Sequence, residues 1–175
     1  MHTLREIDRR DLRPPMYTLE RAQVIPVPLE VAFRFFEDPR NLRLITPDWL
    51  DFRIIRIRGS PLDVGTTVLY RIRWLGVPLS WVTRIDEFER NRRFVDVQIR
   101  GPYRTWRHEH SFEDRNGQTL MRDRVDYELP LGILGRIAHR LLVCRQLCAI
   151  FDYRASQIRR IFAGGGVGMA SPDST

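Results

Sequence analysis

Polar and apolar residues alternate with a period of two through the middle of the chain, and near its end the period changes to three and four. The clearest alternation runs from Phe94 to Tyr127, in FVDVQIR, RTWRHEHSF and LMRDRVDYELP. Gly101-Pro102 punctuates the first gap and Asp114-Arg115-Asn116-Gly117 the second, so the runs read as antiparallel strands joined by hairpins. Strand residues alternate between faces, which puts Trp106, His108, His110 and Phe112 on one side and Thr105, Arg107, Glu109 and Ser111 on the other. The next run splits the same way, with Met121, Asp123, Val125, Tyr127 and Leu129 opposed to Leu120, Arg122, Arg124, Asp126 and Glu128. One side is apolar and aromatic, the other a charged solvent face. The polar minority on the apolar side is two histidines and an aspartate.

Upstream, Tyr17 to Ile25 reads as a first strand closed by Pro26 and Pro28. Two short helices follow, LEVAFRFFED and NLRLITP, separated by Pro39. DFRIIRIR, TTVLYRIRWL and LSWVTRIDEFE then alternate as strands. After Pro130, Ile137, Leu141, Cys144, Cys148, Phe151, Ala155, Ile158 and Phe162 form a helical stripe, predicting one amphipathic helix from approximately Leu134 to Phe162. Gly164-Gly165-Gly166 stops it. Residues 1–15 read as a flexible arm and 164–175 as a disordered tail, which leaves one domain over 16–163. The fold class predicted is α+β: a seven-stranded antiparallel sheet wrapped around a long C-terminal helix, a helix-grip, with two short helices after the first strand. Trp81, Trp106, Phe112, Tyr127, Leu141 and Phe151 are expected inside, and Arg107, Glu109, Arg122 and Arg124 outside.

Hairpins fix register, and register decides which polar groups meet. With Arg100 and Arg104 flanking the first turn, Gln98 faces Trp106 and Asp96 faces His108. With Glu113 and Gln118 flanking the second, His108 faces Asp123 and Trp106 faces Val125. Extending the pairing puts Tyr70 opposite Thr83, Thr83 opposite Gln98 and Ile85 opposite Asp96. His108 then lies between two carboxylates on the concave side. One strand resists: its Val95, Val97 and Ile99 face is more apolar than the Phe94, Asp96, Gln98 face that the register turns inward, and a bulge would reverse it.

The charge balance is +7 over 175 residues, and every basic residue is arginine. These arginines are spread along the chain among Asp and Glu rather than clustered, which argues for solvated faces and against a nucleic-acid partner. No apolar run is long enough to span a bilayer, and the start lacks the apolar core of a signal peptide, so a cytoplasmic protein without stable membrane insertion is expected. Cys144 and Cys148 sit one helical turn apart and read as small core residues.

The concave side supplies the candidate ligand-binding residues: Tyr70, Trp81, Thr83, Gln98, Trp106, His108, His110, Asp123 and Tyr127. Aromatic walls with a few polar groups suit a small-molecule cavity. Three roles are open to the histidines. They could be satisfied interior groups, or His108 with Tyr70 or Tyr127 could orient the polar end of an apolar ligand. His108 with Asp123 and Asp96 could also move protons, although no nucleophile or oxyanion hole accompanies them. Asp96, His108, His110 and Asp123 are metal-ligand types, but an i, i+2 pair without a third neutral ligand is a weak signal, so no metal or cofactor is expected.

The phrases IPVPLEVAFRFFEDPRNLRLITP, LYRIRWLGVPLSWVTRIDEFE, FVDVQIRGPYRTWRHEHSF, DRVDYELPLGILG and IFDYRASQIRRIF, with this order of elements, resemble small bacterial members of the SRPBCC superfamily of START and birch-pollen-allergen-like helix-grip domains. The resemblance covers Tyr17 to Phe162. It implies binding or transport of a hydrophobic small molecule such as a lipid, polyketide or isoprenoid. The alternative it carries is a polyketide cyclase/dehydrase-like enzyme, and since similar domains occur fused to sugar-epimerase-like ones, a partner enzyme of epimerase type is a further implication.

Overall fold

In a computed structural model, which describes residues 16–163 apart from 60 and 75, the strands are β1 (Tyr17–Ile25), β2 (Arg53–Arg58), β3 (Thr67–Trp74), β4 (Val77–Glu89), β5 (Arg93–Arg100), β6 (Thr105–Arg115) and β7 (Gln118–Glu128). They form one antiparallel sheet in the order β1-β7-β6-β5-β4-β3-β2, so β2 to β7 meander and β1 closes against β7. Register shifts between Val82 and Thr83 and between Ile85 and Glu87 put one bulge into β5, at Ile99, and one into β4, at Asp86, and bulges bend the sheet. The expectations for residues 1–15 and 164–175 lie outside the described residues.

Helix α1 (Leu29–Phe36) starts just after Pro28, whose fixed φ suits a helix entry. Glu30 in its first turn and Arg34 in its last complement the helix dipole, and it buries Ala32 and Phe33. The second short helix predicted from NLRLITP is a 3-10 helix, Pro39–Ile45, and a further 3-10 turn, Asp48–Leu50, was not foreseen. The C-terminal helix runs without interruption from Gly132 to Ala163 as α2 (Gly132–Ala138), a π-helical turn (His139–Val143) and α3 (Cys144–Ala163).

That π turn corrects the predicted stripe. An extra residue in one turn rotates the helix before it by about 100° relative to the helix after it. Ile137 and Leu141 therefore turn outward, with Leu141 67% exposed, while Val143, Leu147, Phe151 and Ile158 face the sheet. Arg122 and Arg124 are exposed as expected, but Arg107 and Glu109 are half-buried in ion pairs with Glu87 and with each other.

Two registers also differ from expectation. Asn116 and Gly117 alone make the β6–β7 turn, both at positive φ (55° and 82°), as a two-residue type I′ hairpin requires. Arg115 then pairs Gln118, so His110, not His108, lies opposite Asp123, and Trp106 faces Tyr127 rather than Val125. Across β3–β4, Trp74 pairs Val77, which places Tyr70 opposite Trp81 and Val68 opposite Thr83. The pairs Thr83–Gln98, Ile85–Asp96 and Asp96–His108 stand as predicted. Strand β5 turns Phe94 into the core, and Val95 is fully buried on the opposite face, where Arg107 is ion-paired to Glu87 and Glu109.

Apolar side chains gather in two clusters. Phe33, Phe94, Phe112, Met121 and Ile158 belong to one, against α1, and Trp81, Trp106, Tyr127, Leu147 and Phe151 to the other.

Candidate functional site

Strand alternation carries Trp106, His108, His110 and Phe112 inward along β6, and Asp123, Val125 and Tyr127 inward along the neighbouring β7. His108 and His110 therefore stand side by side at the boundary of the two clusters, with ring centroids 3.8 Å apart. His110 stacks on Phe94 at 4.4 Å, and His108 meets the edge of Phe151 at 5.5 Å.

Two carboxylates bracket the pair. His108 Nε2 donates to Asp123 Oδ1 at 3.0 Å, reaching it diagonally across the two strands. His110 Nδ1 lies 2.8 Å from the same oxygen but outside hydrogen-bonding direction, so that contact is ionic in character. On the far side Asp96 Oδ2 is 3.5 Å from His108 Nδ1 and 3.5 Å from His110 Nε2. Burial pushes the His108 pKa down, the neighbouring His110 adds to this, and the two aspartates oppose it without prevailing. For His110 burial also works against the charged form, but Asp123 and Asp96 outweigh it and the pKa rises. Burial alone would raise the Asp123 carboxyl; the two histidines override it and hold it well below the usual carboxylate range. The network thus contains ionised Asp123, a charge-favouring His110 and a neutral-favouring His108.

Asp96, His108 and His110 can each point one ligand atom at a common centre, with those atoms within 4.8 Å of one another. Both imidazoles would offer the nitrogen facing Asp96 while Asp123 held the other, an arrangement in which a carboxylate orients metal-binding imidazoles.

Beside this network a cavity of about 330 Å³ opens between sheet and C-terminal helix. Phe52, Ile72, Trp81, Trp106, Leu147 and Phe151 are among its walls. Leu131 and Leu134, at its α2 end, are 76% and 67% exposed, so the apolar wall reaches the surface there. A second concavity, of about 520 Å³ beside α1, has a rim of Arg34, Glu37, Asp38 and Arg40 and none of the buried titratable groups.

Of the residues predicted for the site, Tyr70, Trp81, Trp106 and His108 line the cavity. His110 and Asp123 stand behind His108 in the network. Thr83 is buried in the sheet away from the cavity wall. Gln98 is committed elsewhere: its amide donates to the Tyr103 carbonyl at 2.7 Å and its oxygen accepts from the Tyr103 backbone N–H at 3.3 Å, folding over Gly101, where a Cβ would collide with it. The Tyr127 hydroxyl is bonded to His139 Nε2 at 2.8 Å.

Sequence reasoning missed Arg154, which lines the cavity and whose side chain is only 12% exposed. The signal was present. Leu147, Phe151 and Ile158 recur at helical spacing, and Arg154 occupies the inward position between the last two.

Residues 25–151 match the profile of the family described as polyketide cyclase / dehydrase and lipid transport. No curated protein sequence matches the chain. Among solved structures it is similar to the Zhui aromatase/cyclase from Streptomyces sp. R1128, at 17% identity and TM-score 0.64, covering 87% of this chain and 100% of that one. A nucleoside-diphosphate sugar epimerase from Corynebacterium glutamicum aligns at 26% identity and TM-score 0.60, over 81% of this chain but 28% of that longer one. A START superfamily protein from Mycobacterium smegmatis aligns at 12% identity and TM-score 0.60, over 82% and 98%. Among the described residues no helix is long and apolar enough to cross a membrane.

Proposed function

The chain belongs to the polyketide cyclase / dehydrase and lipid transport family of the SRPBCC superfamily, and from that premise we propose that it binds a hydrophobic small molecule, of lipid, polyketide or isoprenoid kind, between sheet and C-terminal helix. The observation that carries the reading is the apolar cavity of about 330 Å³, a volume suited to a small ligand, with a few polar groups, His108 and Arg154 among them, in its wall. The neutral probe N-phenyl-1-naphthylamine is expected to bind, quenching or shifting the emission of Trp81 and Trp106 in the wall. Leu147→Trp, which narrows the cavity, should weaken that binding and leave the chain folded. Equal binding to the narrowed variant would remove the cavity from the reading.

A cyclase/dehydrase-like enzyme is the second reading, favoured by the His108–Asp123 hydrogen bond at the cavity wall. Against it, Nε2 of His108 is committed to Asp123, and Nδ1 has the Asp96 carboxylate 3.5 Å away, where a ligand proton would have to enter. The paired measurement is unfolding and probe binding on His108→Gln. If His108 orients ligand, the folded variant loses about tenfold or more in affinity, the worth of one good hydrogen bond. If His108 only completes the network, stability falls and affinity does not. A partner enzyme of epimerase type belongs to the same proposal, supported by the likeness to part of the epimerase chain, and co-purification tests it.

A further inference from the structure

Within the cavity just described, the fully buried side-chain atoms that lack partners are all donors. Arg154 Nε and Nη1 are buried without a hydrogen-bond acceptor, and so is the indole Nε1 of Trp81. The Tyr70 phenol, also in the wall, is kept protonated by burial and by the charge of Asp96. Of the acceptors nearby, Gln146 Oε1 receives the Trp74 indole N–H, and the Thr46 hydroxyl, which donates to the Leu42 carbonyl at 2.6 Å, makes no bond to Arg154. Asp123 Oδ1 is shared between the two histidines, and Arg154 Nη1 stands 4.0 Å from it, beyond hydrogen-bond reach. The guanidinium carbon sits 4.9 Å over the Phe151 ring, which holds the head in place without satisfying its N–H groups.

A buried guanidinium with idle donors is costly to leave unmatched, since each desolvated donor forfeits its bonds to water. The matching chemistry is a planar oxyanion, which accepts from two guanidinium N–H groups at once. We propose that Arg154 is the head-group anchor of the cavity and that the ligand is an amphiphile with an apolar body and a carboxylate or equivalent oxyanion head. This rests on the cavity-binding reading above and adds the polarity and direction of the ligand: head toward Arg154 and Trp81, tail toward Leu131 and Leu134 at the open end.

The test uses competition against N-phenyl-1-naphthylamine by three amphiphiles of one chain length at neutral pH: decanoate, decan-1-ol and decyltrimethylammonium. In the wild type decanoate is expected to bind at least tenfold more tightly than decan-1-ol, with the cation weakest. Arg154→Gln should bring decanoate down to the level of the alcohol while alcohol affinity moves less than threefold, and Arg154→Lys should recover part of the difference. Should Arg154→Gln fail to fold, the wild-type ranking and the Lys variant decide. Equal or tighter binding of the alcohol in the wild type overturns the anchor and leaves the cavity reading standing. Decanoate affinity unchanged in either folded Arg154 variant does the same. Failure of the probe and all three amphiphiles to bind overturns both.

Discussion

His110 lies between Asp96 and Asp123 with His108 at its side, and this makes it the residue through which pH acts most directly on the fold. Its folded pKa is raised, so the stability it contributes is fully present below the unfolded value of about 6.5 and drains away as pH rises toward the folded value. His108 has the opposite sign. Its folded pKa is lowered, so below about 6.5 the unfolded chain takes up a proton that the folded chain refuses. Stability is therefore expected to fall on both sides of a maximum near that pH, and His110→Gln should flatten the alkaline limb and, by lifting the depression that His110 adds at His108, also soften the acid limb. Thermal unfolding between pH 5 and 8.5 on both proteins checks this, and an alkaline limb as steep in the variant would assign that slope to another group.

The C-terminal helix shows how one irregular turn changes what an element presents. Because the π turn rotates α2 relative to α3, Leu141 faces solvent and Leu147 the cavity, although a uniform stripe would bury Leu141. Leu141→Gln is expected to change unfolding free energy by no more than about 0.5 kcal/mol, as a surface substitution. Leu147→Ala should cost about 2 kcal/mol, the low end for a buried leucine, because it already borders the cavity. Urea denaturation separates the two. A loss at Leu141 equal to that at Leu147 would place it in the core and cancel the rotation.

At the scale of the molecule, the two apolar clusters divide the labour. Phe33 is 1% exposed, with ring centroids 5.2 Å from Phe112 and 6.1 Å from Phe94, and no part of it reaches the cavity. Phe33→Ala is expected to cost about 3–5 kcal/mol while the folded fraction keeps wild-type affinity for N-phenyl-1-naphthylamine. Phe151 borders space that is already empty, so Phe151→Ala should cost less and change affinity. Equal loss of stability with no change in binding for both variants would mean that the clusters are one core. A ligand bound to the native chain at a hundred times its dissociation constant should add about 2.7 kcal/mol of apparent stability, visible as a concentration-dependent melting temperature.

The order of elements, the antiparallel meander and the inward row Trp106, His108, His110, Phe112 were legible in the sequence because the strand period is two and the turn residues are local. The presence of a carboxylate on each side of His108 was legible too, through Asp96 and Asp123. The partner directly opposite Asp123 was not. Whether two residues or four make the Asn116-Gly117 turn shifts every pair on β6–β7 by two positions, which preserves the face and changes the neighbour. The same two-residue shift moved Tyr70 from Thr83 to Trp81. Sidedness is set by the chain's own alternation, whereas Gln98 and Tyr127 turned to Tyr103 and His139, partners that only folding brings within reach. Arg154 shows the limit most clearly. Its spacing marked it as inward, but a charge at such a position is tolerable only where a cavity and a facing aromatic ring await it, and those exist only once sheet and helix have met.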